Sequence, residues 1–166
     1  MVIFQIYDKH FDLNEWFVLA MIVGGFGVIY LLPKILPILT VIFGLLFGPF
    51  LGLVYDHTIA VPPLDLYDVG DNSSYELFDI FSYIMYAPFG YLFIYFFEKL
   101  NIRSFWSILY IIGWSIPSIL LEWICVKVGI FHYKHGYALP YSIPVYFFVL
   151  SQLLLIYQYF FRGMNT

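Results

Sequence analysis

Glu122 is the one carboxylate in the apolar run SIPSILLEWICVKV, residues 115–128. A carboxyl group in such a run could carry a proton, bind a ligand or act as a general acid or base. The plainer alternative is a structural carboxyl bonded to a Tyr, Trp or Ser of a neighbouring helix. At the centre of a membrane helix an acid costs roughly 2.5–3.5 kcal/mol on insertion scales, and intramembrane acids are functional candidates by default. Residues three and four apart share a helix face. Stepping back from Glu122 gives Ser118, Trp114, Tyr110 and then Ser107, one polar or amphipathic stripe. The other side, Leu109, Ile112, Ile116, Leu120 and Ile124, is aliphatic and suits lipid. The stripe should therefore face the interior, with Glu122, Ser118 and Tyr110 as a candidate ligand or proton site.

Three further groups could assist. Asp79 and His132 could join Glu122 in acid–base work on a lipid or isoprenoid if all three reach one substrate. His132 and His135 are three apart and could share a metal, with His57 or Asp56 as a third ligand. Zinc wants three or four ordered ligands, and two interfacial histidines among tyrosines more often serve as hydrogen-bonded anchors, so no metal is expected. Asp65, Asp68 and Asp71 lack the spacing of a helix–loop–helix calcium site and read as a solvated acidic cap. Asn72-Ser73-Ser74 matches a glycosylation triplet, a pattern common by chance. Nucleophile elbow, phosphate loop, dinucleotide fingerprint and zinc-protease motif are missing, and nothing in the sequence calls for a cofactor.

These residues need elements to hold them. Hydrophobic residues make up 63% of the 166-residue chain and charged residues 11%, with a net charge of -4. Ordinary soluble domains hold about half and a quarter. The expectation is an all-α, polytopic integral membrane protein in a single domain, whose partner is the lipid bilayer. The acidic balance argues against nucleic acid, which wants a basic stripe. Cys125 is the single cysteine, so no intrachain disulfide forms.

A membrane-crossing helix needs about 20 mostly apolar residues. Five runs qualify: about 16–32, 35–55, 77–97, 104–126 and 140–161. Asp8, Asp12 and Glu15 precede the first, where a cleaved signal needs basic residues, so it reads as a retained helix. Residues 1–14 could lie along the interface. Pro33-Lys34 predicts a tight hairpin between the first two helices. Ser73 and Glu76 read as a capping box opening the third. Gly44, Gly48 and Gly52, four apart, predict close helix packing, either on the first helix with Gly24, Gly25 and Gly27 or on a second copy. Pro49, Pro88 and Pro117 free the carbonyls of Leu45, Ile84 and Gly113, most simply as kinks. Lys34, Lys99, Arg103 and Arg162 would lie inside, and Lys9, Lys127 and Lys134 outside with nine of the eleven acids and all four histidines; the count of four against three gives an outside N-terminus and an inside C-terminus.

SIPSILLEW followed by GIFHYKHGYALPYSIPVYFF resembles the C-terminal part of a family of small multipass membrane proteins of endospore-forming Gram-positive bacteria. Pro117, Leu120, Leu121 and Glu122 match its I-P-x-x-L-L-E helix, and Tyr133 an aromatic of the following connection. The similarity extends back to SYELFDIFSYIMYAPFGYLFIYFFEKL. His132, His135 and Tyr137 stand where that family has tryptophans. The resemblance implies a multipass bacterial membrane location and carries over no catalytic residue. A fainter similarity is to membrane lycopene cyclases, whose paired acids have no counterpart after Pro140 and Pro144. The expected function is a non-enzymatic accessory, assembly or partner-binding role in the bacterial envelope, alone or as a homo-oligomer. The alternatives are a small transporter or channel with Glu122 as its proton or ligand site, and an intramembrane enzyme acting on a lipid or isoprenoid.

Overall fold

A computed structural model describes residues 7, 10–71 and 77–162. In chain order they form α1 (Leu13–Leu31), α2 (Ile38–Asp56), β1 (Tyr67–Val69), α3 (Asp79–Ile84), α4 (Ala87–Lys99), α5 (Trp106–Lys127), β2 (Phe131–Tyr133) and α6 (Ser142–Ile156). A 3-10 turn precedes α6 and a π-turn extends it to Phe161. The expectation of five apolar helices holds: five helical spans are long and apolar enough to cross a membrane, with α3 and α4 together making the third.

Several boundaries differ from the expected ones for local reasons. Helix α1 starts at Leu13, three residues ahead of the expected start at Trp16, because Asp12 caps it. The Asp12 side chain accepts from the Asn14 amide at 3.2 Å, and the Glu15 carboxylate accepts from the Asp12 amide at 2.8 Å, completing a capping box. Residues 13 and 14 therefore belong to the helix, not to an interfacial segment. Helix α2 starts at Ile38, after Pro37 at its cap. A residue before proline avoids the helical region, so Leu36 stays out of the helix and the linker is longer than a two-residue hairpin. The Ser73–Glu76 capping box and the Asn72–Ser74 triplet lie outside the described residues, as do residues 1–6.

The third span is the central one. In its most apolar stretch 61% of residues are buried, against 17% to 22% in the other four. It breaks at Met85–Tyr86, just ahead of Pro88, whereas α2 and α5 run on through Pro49 and Pro117. The glycine stripe of α2 packs on this third span, not on α1. A Cβ on Gly48 would stand 2.5 Å from the Tyr86 carbonyl oxygen, and one on Gly44 would stand 3.0 Å from Tyr91 Cα. Helix α1 packs on the same span from another side, where a Cβ on Gly25 would reach 2.6 Å from Pro88 Cγ. The longer α1–α2 linker lets the third span lie between them. Since the glycine face is used inside the chain, it is not available as a seam to a second copy.

Phe47, Phe93, Phe97, Ile111, Leu153 and Tyr157 centre one core cluster. Val18, Met85, Cys125 and Ile130 centre another, nearer the cap. The aliphatic side of α5 is exposed as expected: Ile116 is 57% and Leu120 56% accessible.

The connections that follow α2 and α5 carry a two-stranded antiparallel ladder. Tyr67 pairs with Tyr133, Asp68 with His132 and Val69 with Phe131. Lys134 bonds Asp65 Oδ1 at 2.9 Å and Asp68 Oδ2 at 3.0 Å. Desolvation pulls the Lys134 pKa down, but its bonds to the two aspartates outweigh that and raise it overall. The acidic cap is thus partly neutralised and tied together. Tyr7 joins it, donating its amide to the Asp71 carbonyl at 2.7 Å and its hydroxyl to Asp68 at 2.6 Å.

Candidate functional site: a carboxylate-bearing cavity

Strand alternation decides which cap residues face the helices. Successive side chains point to opposite faces of a strand. Tyr67, Phe131 and Tyr133 face the bundle, while Asp68 and His132, paired in register, face away. Beneath that ladder, between α2, α4, α5 and α6, lies a cavity of about 210 Å³.

Its far end is apolar, formed by Phe47, Leu51, Val149, Leu150 and Leu153. Its near end carries two carboxylates, Glu122 and Asp56, both buried. Around them the wall is aromatic: Tyr55, Tyr67, Tyr86, Tyr133, Tyr137 and Tyr146 all contribute, and Trp114 lines it about two turns down α5 from Glu122, toward the apolar end. Gly48, Gly52 and Gly90 also line it. Their missing side chains make close helix approach and open space together.

The carboxylates are held by hydroxyl donors. Tyr133 and Ser142 both donate to Glu122 Oε1, the latter at 2.6 Å. Since the single Ser142 proton goes to Glu122, Tyr137 is the donor in the 2.9 Å bond to Ser142 Oγ. A chain Tyr137→Ser142→Glu122 results. Tyr67 donates to Asp56 Oδ1 at 2.7 Å. Tyr86 lies within electrostatic reach of both acids. Burial first, then the neighbouring carboxylate, pushes the Tyr133 hydroxyl well up, and the same two causes raise Tyr67. Both stay protonated donors at neutral pH.

The sequence-derived candidates divide. The α5 stripe faces inward: Trp114, Ser118 and Glu122 line the cavity. Tyr110 belongs to the deeper core, donating its hydroxyl to the Phe93 carbonyl at 2.6 Å. Ser118 donates to the Trp114 carbonyl at 2.9 Å. Asp79 is not at the cavity; it sits buried at the start of α3, where a Cβ on Gly70 would come 3.2 Å from its Oδ1. His132 is not there either, because β2 turns it to the other face, stacked on Tyr7 with ring centroids 3.7 Å apart. His135 sits in an exposed turn, its Nδ1 2.7 Å from the Asp65 carbonyl oxygen. The acid–base trio Glu122, Asp79 and His132 is therefore not assembled. Among the described residues no three His, Cys, Asp or Glu side chains converge as for a metal.

Sequence reasoning considered Asp56 only as a third metal ligand beside the histidines, and missed Ser142, Tyr67 and Tyr137 as site residues. The available signal was the alternation of LYDV and IFHYK, each with aromatic residues two apart from an apolar neighbour.

The cap carries its own pH dependence. Burial holds His132 below the ordinary imidazole range, against the opposing pull of Asp68 and Asp71. The unfolded chain therefore takes up the proton first, and stability is lost as pH falls through the range near 6.5. Melting temperature should drop from about pH 8 to about pH 5, and drop less in His132→Phe. Equal slopes in the two proteins would mean that other groups set the dependence.

Compared with protein families, with curated proteins and with solved structures, the chain matches none.

Proposed function

We propose that the chain is a multipass membrane protein that holds a small amphiphile in its cavity, with Glu122 as the polar anchor, in the manner of a small transporter. One observation carries this reading: a 210 Å³ cavity, apolar at one end, has two buried, hydrogen-bonded carboxylates at the other. Ligand sites are mostly apolar concavities with a few convergent polar groups. Five helices of crossing length and a lipid-suited aliphatic face on α5 support the membrane setting. Lys34, Lys99, Arg103 and Arg162 belong to the connections and tail opposite the cap, which supports an outer cap and an inner C-terminus. Labelling of His135→Cys by an impermeant thiol reagent on intact cells tests that orientation; protection until lysis would reverse it.

The accessory reading loses one of its supports, since the glycine stripe is consumed inside the chain. Mass spectrometry of protein purified in mild detergent separates the two. The ligand reading expects one small molecule or lipid retained by wild type and lost in both Glu122→Gln and the cavity-filling Val149→Trp. A stoichiometric protein partner retained by all three, with no small molecule, favours the accessory role instead.

A further inference from the structure

We infer that the occupant is an organic ammonium ion with a small apolar body. The inference rests on reading the cavity as a ligand site and adds the charge and size of what enters. The lining contains Glu122 and Asp56 and no Lys, Arg or His among the described residues. An anion would meet two carboxylates and no counter-charge. A neutral ligand presenting a carbonyl would look for donors, but those beside the acids are committed: Tyr67 to Asp56, and Tyr133, Ser142 and Tyr146 to Glu122. An ammonium group brings its own donors. A carboxylate offers about four acceptor sites, and Tyr133, Ser142 and Tyr146 take three of them on Glu122, which leaves one for the ammonium group.

The walls suit the same charge. Tyrosine faces attract cations, an effect worth more when water is excluded, and Tyr86, Tyr133 and Tyr146 lie about the carboxylate end. Size follows from volume. An apolar cavity of about 150 Å³ takes benzene, so 210 Å³ suits one ring with a short chain. The apolar end at Phe47 and Leu153 would receive the ring, and Glu122 the ammonium group.

Three probes of matched shape test this on the full chain in nanodiscs: 3-phenylpropylammonium, 3-phenylpropanol and 3-phenylpropionate. Trp114 lines the cavity, so quenching of tryptophan emission, checked by calorimetry, reports occupancy. The ammonium should bind roughly tenfold more tightly than the alcohol, with the carboxylate weakest. Glu122→Gln should remove that advantage, bringing ammonium binding down to the level of the alcohol. Asp56→Asn, with its amide oxygen still able to accept from Tyr67, is a second variant in case the first folds poorly, and should also lower ammonium binding. Alcohol or carboxylate binding as tightly as ammonium would overturn the charge assignment and leave the ligand site standing. If none of the three binds wild type, and none competes with a co-purified molecule, the charge assignment and the ligand-site reading both fail.

Discussion

Glu122→Leu is expected to cost the fold about 2–5 kcal/mol, the largest single-residue loss at the site. The leucine fills similar space but accepts no hydrogen bond. Buried Ser142 and half-buried Tyr133 would each keep a hydroxyl without its acceptor. A buried donor left unmade costs about 1–3 kcal/mol, more than a satisfied bond contributes. Glu122→Gln keeps one acceptor oxygen and should cost about 1 kcal/mol or less. Equilibrium denaturation in nanodiscs reads the difference. The double change Glu122→Leu with Ser142→Ala removes a stranded hydroxyl together with its acceptor, so it should be less destabilised than the two single changes added. Strict additivity would mean that the Ser142 bond contributes nothing.

Gly90→Ala is expected to part α2 from α4. A Cβ on Gly90 would be driven into the Gly44 carbonyl oxygen, a main-chain atom that cannot rotate aside. Gly44 in turn sits against Tyr91 Cα, and Gly48 against the Tyr86 carbonyl. Relief requires moving a whole helix, so the loss should exceed the roughly 1–3 kcal/mol of ordinary overpacking. Size-exclusion chromatography should show loss of the monodisperse species, and thermal unfolding a marked drop. Gly24→Ala is the matched control: nothing lies within 4 Å of its Cβ position, and it should behave as wild type. A Gly90→Ala protein as stable as Gly24→Ala would mean that the helices do not approach this closely.

The two changes act on different links. Glu122→Leu leaves the helices and removes what the cap hydroxyls bond to. Gly90→Ala leaves those side chains and removes the spacing that holds the cavity walls. Loss of ligand retention with an intact fold is thus expected from Glu122→Gln, and loss of both from Gly90→Ala.

Much of this was legible in the sequence. Length and apolar content determined five helices, because a backbone surrounded by apolar side chains must satisfy its own polar groups. The 3.6-residue period put Trp114, Ser118 and Glu122 on one inward face of α5 and Ile116 and Leu120 on the other, as the structure has them. The spacing of Gly44, Gly48 and Gly52 announced a close contact. It did not name the partner, since any small or kinked surface satisfies a glycine stripe equally well. Only the tertiary structure assigned it to the third span, through the break before Pro88 and the linker lengthened by Pro37. The site's second half was likewise a tertiary matter. Asp56, Tyr67, Tyr133 and Ser142 come from four separate stretches of chain, and their meeting depends on the register of two three-residue strands. Strands that short carry almost no periodic signal of their own. Pairing Asp68 with His132 turned that histidine away from Glu122 and turned Tyr67 and Tyr133 toward the cavity, and a shift of one residue would have reversed both.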